Sequence, residues 1–166
     1  TLFLLSISLG NKVYAQESVN VFFNDACTDC VSYIKEMEPI LLENGIKPIL
    51  KDYINEPSFR KELNTFNKQY KIPYDVQDSL TFFLKSNLVI EGHVPQSVVE
   101  TILRNYNELP KHSLIVLFQP KMHSNATDYQ IYISGYSTEK LTTSDNVLNY
   151  IKNKEPRVLQ NALPNN

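Results

Sequence analysis

The 166-residue chain contains no tryptophan, only four glycines and only two cysteines. Four glycines leave little material for the glycine-rich loop that cradles phosphates, so nothing favours a nucleotide-binding protein. Two cysteines cannot form a zinc quartet, and the sequence also lacks a Ser-His-Asp set. These absences exclude the commonest metal-binding and hydrolytic sites.

Positive charge is not concentrated anywhere in the chain. Lysine and arginine total 16 against 18 aspartates and glutamates, and no stretch forms a basic stripe that follows phosphates. Nucleic acid is therefore not an expected partner. The composition, with 42% hydrophobic and 20% charged residues, is ordinary for a globular protein, and the length suits one domain plus an extension.

Long hydrophobic runs are missing as well. Residues 1–10 (TLFLLSISLG) are apolar but too few to cross a bilayer, and Val13 and Ala15 are small residues at the spacing of a cleavage site. We predict that residues 1–15 are a partial secretory signal peptide, so that the mature chain has no membrane span. An uncleaved anchor or an N-terminal core strand is the alternative. Export to the periplasm, the cell envelope or the exterior allows disulfides to persist.

Apolar patterns predict an alternation of strands and helices over residues 18–109. β-branched and aromatic runs predict strands at 18–23, 46–53, 80–84 and 88–90. Periodic apolar positions predict helices that start at Cys27, after Asn55 as cap, and at Pro95. The last two strands are joined by three residues, which permits only an antiparallel hairpin. The predicted fold class is α/β, a mixed sheet in the order β-α-β-α-β-β-α with helices on both faces.

A smaller segment follows Pro110. It contains two apolar runs and one helix-capping sequence, at 113–118, 129–134 and 142–145. We predict that residues 110–166 form a small C-terminal ββα extension that packs on the main domain of residues 16–109, because it is too small to fold alone. Its end, from Pro156, is predicted to be a frayed tail.

Cys27 and Cys30 lie between a predicted strand and a predicted helix. That place puts the first sulfur beside the free amides of the helix N-terminus, which stabilise a thiolate. Cys27 is the predicted attacking thiol, and Cys30 is the sheltered resolving thiol. A purely structural disulfide is the weaker alternative, because a four-residue ring constrains the unfolded chain little. Asp25 and Asp29 flank Cys27 and oppose thiolate formation.

Residues 19–109 resemble the thioredoxin superfamily, through VNVFFNDACTDC and through the hairpin that ends at Gly92. The EGHVP element at 91–95 is similar to that of a group of envelope thioredoxin-like proteins that carry S-C-H-T and E-G-H-V-P. Some members of that group are associated with copper handling. The resemblance implies a protein thiol or disulfide as partner, and it suggests a membrane electron conduit of the cytochrome-biogenesis type.

Three positions depart from these patterns. Ser79, Leu80 and Thr81 hold the place of the thioredoxin cis-proline before the third strand, and Pro73 is too far back. Val21 stands where many thioredoxins carry a buried carboxylate, which predicts that a buried general base is missing. The thiol and imidazole of S-C-H-T correspond to Ser79 and Leu80, which removes two soft ligands from any copper site.

The three histidines give few further signals. His93 is expected to make a hydrogen bond at the start of the third helix, with a metal or proton-shuttle role as the alternative. His112 is expected to be a solvated linker residue. Met122 and His123 form a pair that can bind Cu(I), but one unrepeated pair is a weak signal. The sequence therefore assigns no metal ion and no cofactor.

The sequence predicts an extracytoplasmic thiol-disulfide oxidoreductase that exchanges electrons with a partner protein through Cys27 and Cys30. The first alternative is a non-catalytic Cu(I)-binding protein or copper chaperone that uses the same thiolates, with Met122 or His123 completing the site. The second is a structural disulfide in an adhesion or interaction module. The direction of electron flow is open at this point.

Overall fold

A computed structural model of the chain describes residues 17–121 and 126–162. The predicted signal peptide and the Met122-His123 pair lie outside the described residues. The strands are β1 (Glu17–Phe23), β2 (Ile46–Asp52), β3 (Thr81–Lys85), β4 (Leu88–Gly92), β5 (Ile115–Gln119), β6 (Asp128–Ile133) and β7 (Glu139–Thr142). The helices are α1 (Thr28–Glu43), α2 (Pro57–Tyr70), α3 (Gln96–Arg104) and α4 (Val147–Ala162).

The described strands form one mixed sheet in the order β2-β1-β3-β4-β5-β6-β7. β1 pairs in parallel with β2 and antiparallel with β3, and β3 and β4 form the predicted hairpin. A parallel pair needs a crossover connection, which α1 supplies between β1 and β2. The predicted α/β class, with the order β-α-β-α-β-β-α, is confirmed and is consistent with a thioredoxin-like fold.

The C-terminal strands continue the same sheet. β5 pairs in parallel with β4, and β6 and β7 follow as antiparallel neighbours. The sequence did not predict β7, because its four residues include a single apolar side chain, Leu141, and therefore form no apolar run. α4 continues to Ala162, so it reaches into the segment for which the sequence predicted a frayed tail.

Apolar side chains cover both faces of the sheet. Neighbouring residues of a strand point to opposite faces, so Val21 packs with α1, α3 and α4, whereas Phe22 packs with α2. The α2 face includes the aromatic stripe that the sequence predicted as core, namely Phe59, Phe66 and Tyr70 with Leu63. The two faces therefore offer separate surroundings for polar groups.

The start of α2 differs from the prediction. Glu56, not Asn55, is the capping residue, and its carboxylate accepts a hydrogen bond of 3.2 Å from the Ser58 amide. Asn55 instead donates a hydrogen bond to the carboxylate of Asp52, at the end of β2. Pro57 occupies the first turn of α2, as predicted. Asn55 is not the cap because α2 begins at Pro57, which puts Glu56 at the capping position, while Asn55 donates to Asp52.

Gly92 ends β4 and determines how closely the chain passes β5. Its φ is +71°, and a Cβ added there would overlap the backbone carbonyl oxygen of Gln119. We expect Gly92→Ala to lower the free energy of unfolding by about 3 kcal/mol, because backbone strain and overlap add. Gly135→Ala is the matched control, since its φ is +90° but its added Cβ meets nothing within 4 Å. If urea unfolding gave the same loss of free energy of unfolding for both variants, the overlap with Gln119 would not explain the effect.

Candidate functional site

A hydrogen-bonded turn leads from β1 to Cys27. The carbonyl of Asn24 accepts a hydrogen bond from the Cys27 amide at 3.0 Å, and its side chain accepts one from the Ala26 amide at 2.9 Å. The Asp52 carboxylate accepts a third, from the Asp25 amide at 3.3 Å. These bonds hold the turn in one conformation and attach it to β2, so they fix the position of Cys27 before α1.

Cys27 and Cys30 form a disulfide with their Cα atoms 5.3 Å apart. Cys27 is the N-cap of α1, and its Sγ accepts a hydrogen bond from the Cys30 amide at 3.2 Å. Cys27 is half-buried, whereas Cys30 is completely buried under the first turn of α1. The pair therefore lies where the sequence placed it, with one sulfur near solvent and one sheltered.

The surroundings of Cys27 act in two directions on a negative charge at its sulfur. The Cys30 amide already points at Sγ, and the 16-residue helix α1 presents its positive end there. Asp25 and Asp29 oppose that charge, but both side chains are exposed and water screens them. The Cys30 amide and the helix terminus therefore act in one direction on a charge at Cys27 Sγ, and the two exposed carboxylates act in the other.

The segment before β3 carries the residues that replace the thioredoxin cis-proline. Leu80 is completely buried, and all described peptide bonds are trans. Ser79 is held from two directions: its amide and hydroxyl donate to the Asp78 carboxylate at 2.6 and 3.0 Å, and its carbonyl accepts from the Tyr53 hydroxyl at 2.8 Å. The segment is therefore anchored although it lacks proline.

β4 carries a buried carboxylate, although the buried Val21 holds the thioredoxin position on β1. Glu91 in β4 is completely buried, and its Oε2 accepts hydrogen bonds from the Asp78 amide at 3.0 Å and the Thr81 hydroxyl at 2.8 Å. Burial raises the pKa of Glu91 to about 8, and the Asp78 charge adds to that rise while the two hydrogen bonds oppose it. The sequence does carry a signal for it, because Glu91 directly follows the apolar residues Leu88–Ile90 in the same strand.

Glu91 and the disulfide lie on opposite faces of the sheet. Glu91 follows Val89 by two residues, and Val89 belongs to the α2 face. Cys30 belongs to the α1 face. The sheet therefore separates this carboxylate from both sulfurs, and Glu91 does not serve as a base for them.

His93 lies on the α1 side and touches Tyr33 of that helix. It is 4% exposed, and its ring packs edge-on against Tyr33 with the centroids 5.1 Å apart. Burial lowers the pKa of His93, while the charges of Asp78 and Asp29 and a backbone hydrogen bond with Asp29 act in the opposite direction. Its Nε2 is buried without a hydrogen-bond partner among the described residues.

The predicted hydrogen bond from His93 to the start of α3 is wrong. α3 begins after Pro95, and no side chain in the described part of the chain caps its N-terminus. The ring turns toward α1 instead because Gly92, with its positive φ, interrupts the strand alternation just before it. His112 is exposed, as expected for a linker residue.

Two kinds of feature are absent from the described ranges 17–121 and 126–162. No group of three or more histidine, cysteine, aspartate or glutamate side chains there is arranged to hold a metal ion. No helix in the same ranges combines the length and the apolar character needed to cross a bilayer.

Comparison with known proteins gives one resemblance. No protein-family model matches the chain, and no curated protein matches it. A solved structure, copper resistance protein CopG in its form 1, aligns with a TM-score of 0.46 and 17% sequence identity. The alignment covers 79% of this chain and 92% of that one. A likeness at this level assigns no function.

Proposed function

We propose that the protein is a thiol-disulfide oxidoreductase of an extracytoplasmic compartment, working through Cys27 and Cys30. The observation that carries this proposal is the unequal exposure of the two sulfurs at the N-terminus of α1. A four-residue ring is a poor structural staple, whereas a thiolate at a helix terminus is a good nucleophile and a good leaving group.

The exchange runs in two displacements. A thiolate of a partner dithiol attacks Cys27 Sγ, the disulfide bond breaks, and Cys30 leaves as a thiolate that takes a proton. The second partner thiolate then attacks the partner sulfur of the mixed disulfide, and Cys27 leaves as a thiolate. Two electrons pass to the Cys27-Cys30 pair, and the partner is left with a disulfide. The same steps in reverse reduce a partner disulfide.

The different burial of the two sulfurs supports the two roles. Cys30 is completely buried, so a partner protein cannot approach its sulfur, whereas Cys27 is half-buried at the end of the turn. The partner is therefore a protein with an accessible dithiol or disulfide, and a membrane electron conduit of the cytochrome-biogenesis type fits that description. Location outside the cytoplasm suits a pair that spends part of its cycle oxidised.

The test follows the redox state of the full chain in glutathione buffers, using a thiol-alkylating reagent and mass spectrometry. We expect the pair to equilibrate within minutes and the protein to accelerate the reduction of insulin by dithiothreitol. A pair that stays oxidised in reducing glutathione, with insulin reduced no faster than in buffer, would identify a permanent structural disulfide instead.

An anaerobic titration with Cu(I) separates the copper-binding alternative. The two thiolates of the reduced protein are soft donors of the kind that Cu(I) prefers. Under the proposal, exchange with glutathione proceeds whether or not the reduced form also takes up Cu(I). Tight stoichiometric Cu(I) binding together with no exchange would replace the oxidoreductase by a copper-binding protein.

A further inference from the structure

His93 is a titratable side chain held against the dithiol segment, and the exchange steps do not use it. Its ring packs edge-on against Tyr33, one turn beyond Cys30 on α1, with the centroids 5.1 Å apart. The charge of Asp29, which lies between Cys27 and Cys30 in sequence, acts on the same ring. His93 therefore lies against the N-terminal half of α1, which carries the buried sulfur.

The groups that face His93 are acidic or neutral. Asp29 approaches from α1 and Asp78 from the segment before β3, and both charges favour an imidazolium. Tyr33 is neutral, because burial raises its pKa above the usual range and its hydroxyl donates to the Val94 carbonyl at 2.5 Å. Among the described residues, neither carboxylate has an ion-pair partner that would cancel its effect.

Burial acts against a charged ring. His93 is 4% exposed, and its Nε2 lacks a hydrogen-bond partner in the described part of the chain. An unpaired charge at such a place is unfavourable, so the ring is neutral while the nearby sulfurs form a disulfide. A new negative charge at the same end of α1 would change that balance.

We propose that His93 is a positioning residue that couples the redox state of the Cys27-Cys30 pair to pH, an inference that rests on the proposed exchange function. Reduction by a partner dithiol delivers two electrons and releases two protons. One proton goes to Cys30 Sγ and the other to His93, while Cys27 Sγ keeps the negative charge. The reduced site then holds a thiolate and an imidazolium, which compensate each other.

The coupling has a definite sign. If a thiolate at Cys27 raises the proton affinity of His93, protonation of His93 must favour reduction by the same factor. Acidic conditions therefore favour the reduced pair more in a protein that has His93 than in one whose residue 93 cannot titrate. A difference of one pKa unit for His93 between the two redox states corresponds to about tenfold in the equilibrium constant with glutathione.

The experiment compares the full-length wild type with His93→Asn, which keeps an amide donor but cannot titrate. The glutathione equilibrium constant is measured from about pH 5 to about pH 8, across the usual titration range of histidine. We expect the equilibrium constant of the wild type, divided by that of the variant, to fall about tenfold as pH rises over that range. At low pH the protonated His93 favours reduction in the wild type, and the variant has no such group. His112→Asn, at an exposed histidine, is the control and follows the wild type.

A second measurement needs no variant. The imidazole proton resonances of the wild type are titrated in the oxidised and in the reduced protein, and we expect His93 to titrate at higher pH in the reduced form. Identical titrations in both states, or parallel equilibrium curves for wild type and His93→Asn, would overturn the role of His93 alone. A wild type that does not equilibrate with glutathione at any pH would overturn the exchange function and this inference with it.

Discussion

Replacing Cys27 with serine is expected to abolish exchange, whereas replacing Cys30 with serine is expected to trap a mixed disulfide with the partner. Cys27 is the half-buried sulfur that a partner can reach, so its loss removes the nucleophile and lowers insulin reduction by more than about a hundredfold. Cys30 is buried and reacts only with the sulfur of Cys27, so its loss blocks the second displacement.

The variants are incubated with oxidised glutathione, and the mixed disulfide that forms is measured by mass spectrometry. Cys30→Ser should gain one glutathione that dissociates slowly, and Cys27→Ser should gain none. Ser32→Ala, at an exposed position of the same helix, is the control and exchanges like the wild type. If Cys27→Ser instead formed the stable adduct, the two sulfurs would have the opposite roles.

The contribution of Glu91 to the stability of the protein is expected to fall as pH rises from about 4.5 to about 8, because Glu91 is buried. The unfolded chain releases this proton near 4.5, whereas burial raises the pKa of Glu91 to about 8 in the folded chain. Between these values the folded state binds more protons than the unfolded state, so the free energy of unfolding decreases with pH. The loss is about 1.4 kcal/mol per pH unit within that window.

Glu91→Gln tests this expectation, since its amide oxygen still accepts from the Asp78 amide and the Thr81 hydroxyl but the side chain cannot ionise. Urea unfolding is measured at several pH values for the wild type, for this variant and for Glu38→Gln, an exposed acid on α1. The free energy of unfolding of Glu91→Gln should increase relative to that of the wild type as pH rises, and that of Glu38→Gln should not. A constant difference across the range is the outcome that contradicts a buried, protonated Glu91.

Glu91 and His93 lie on opposite faces of the sheet, so their titrations affect different properties of the protein. Glu91 lies on the α2 face and holds the segment before β3 through the Asp78 amide and the Thr81 hydroxyl. His93 lies on the α1 face, against Tyr33, one turn beyond Cys30. A pH effect on folding is therefore assigned to Glu91, and a pH effect on the redox equilibrium is assigned to His93.

Local patterns predicted most of the main elements but few of the tertiary contacts. The hairpin between β3 and β4 followed from the short connection, and α2 followed from its aromatic stripe. The predicted cap of α2, Asn55, was wrong. Its side chain donates a hydrogen bond to Asp52 of β2, a partner that periodicity does not reveal. β7 was missed because pairing with β6, and not an apolar run, makes it a strand.

The sequence by itself determined the alternation of strands and helices and the place of Cys27 and Cys30 at a strand-to-helix junction. Those features depend on neighbours a few residues apart, and the spacing of side chains records them directly. Only the tertiary structure decided that Cys30 is covered, that Glu91 is buried and that His93 touches α1. Each of these depends on segments distant in sequence that pack together, and the pairing of sheet and helices sets the exposure and the charge around every group.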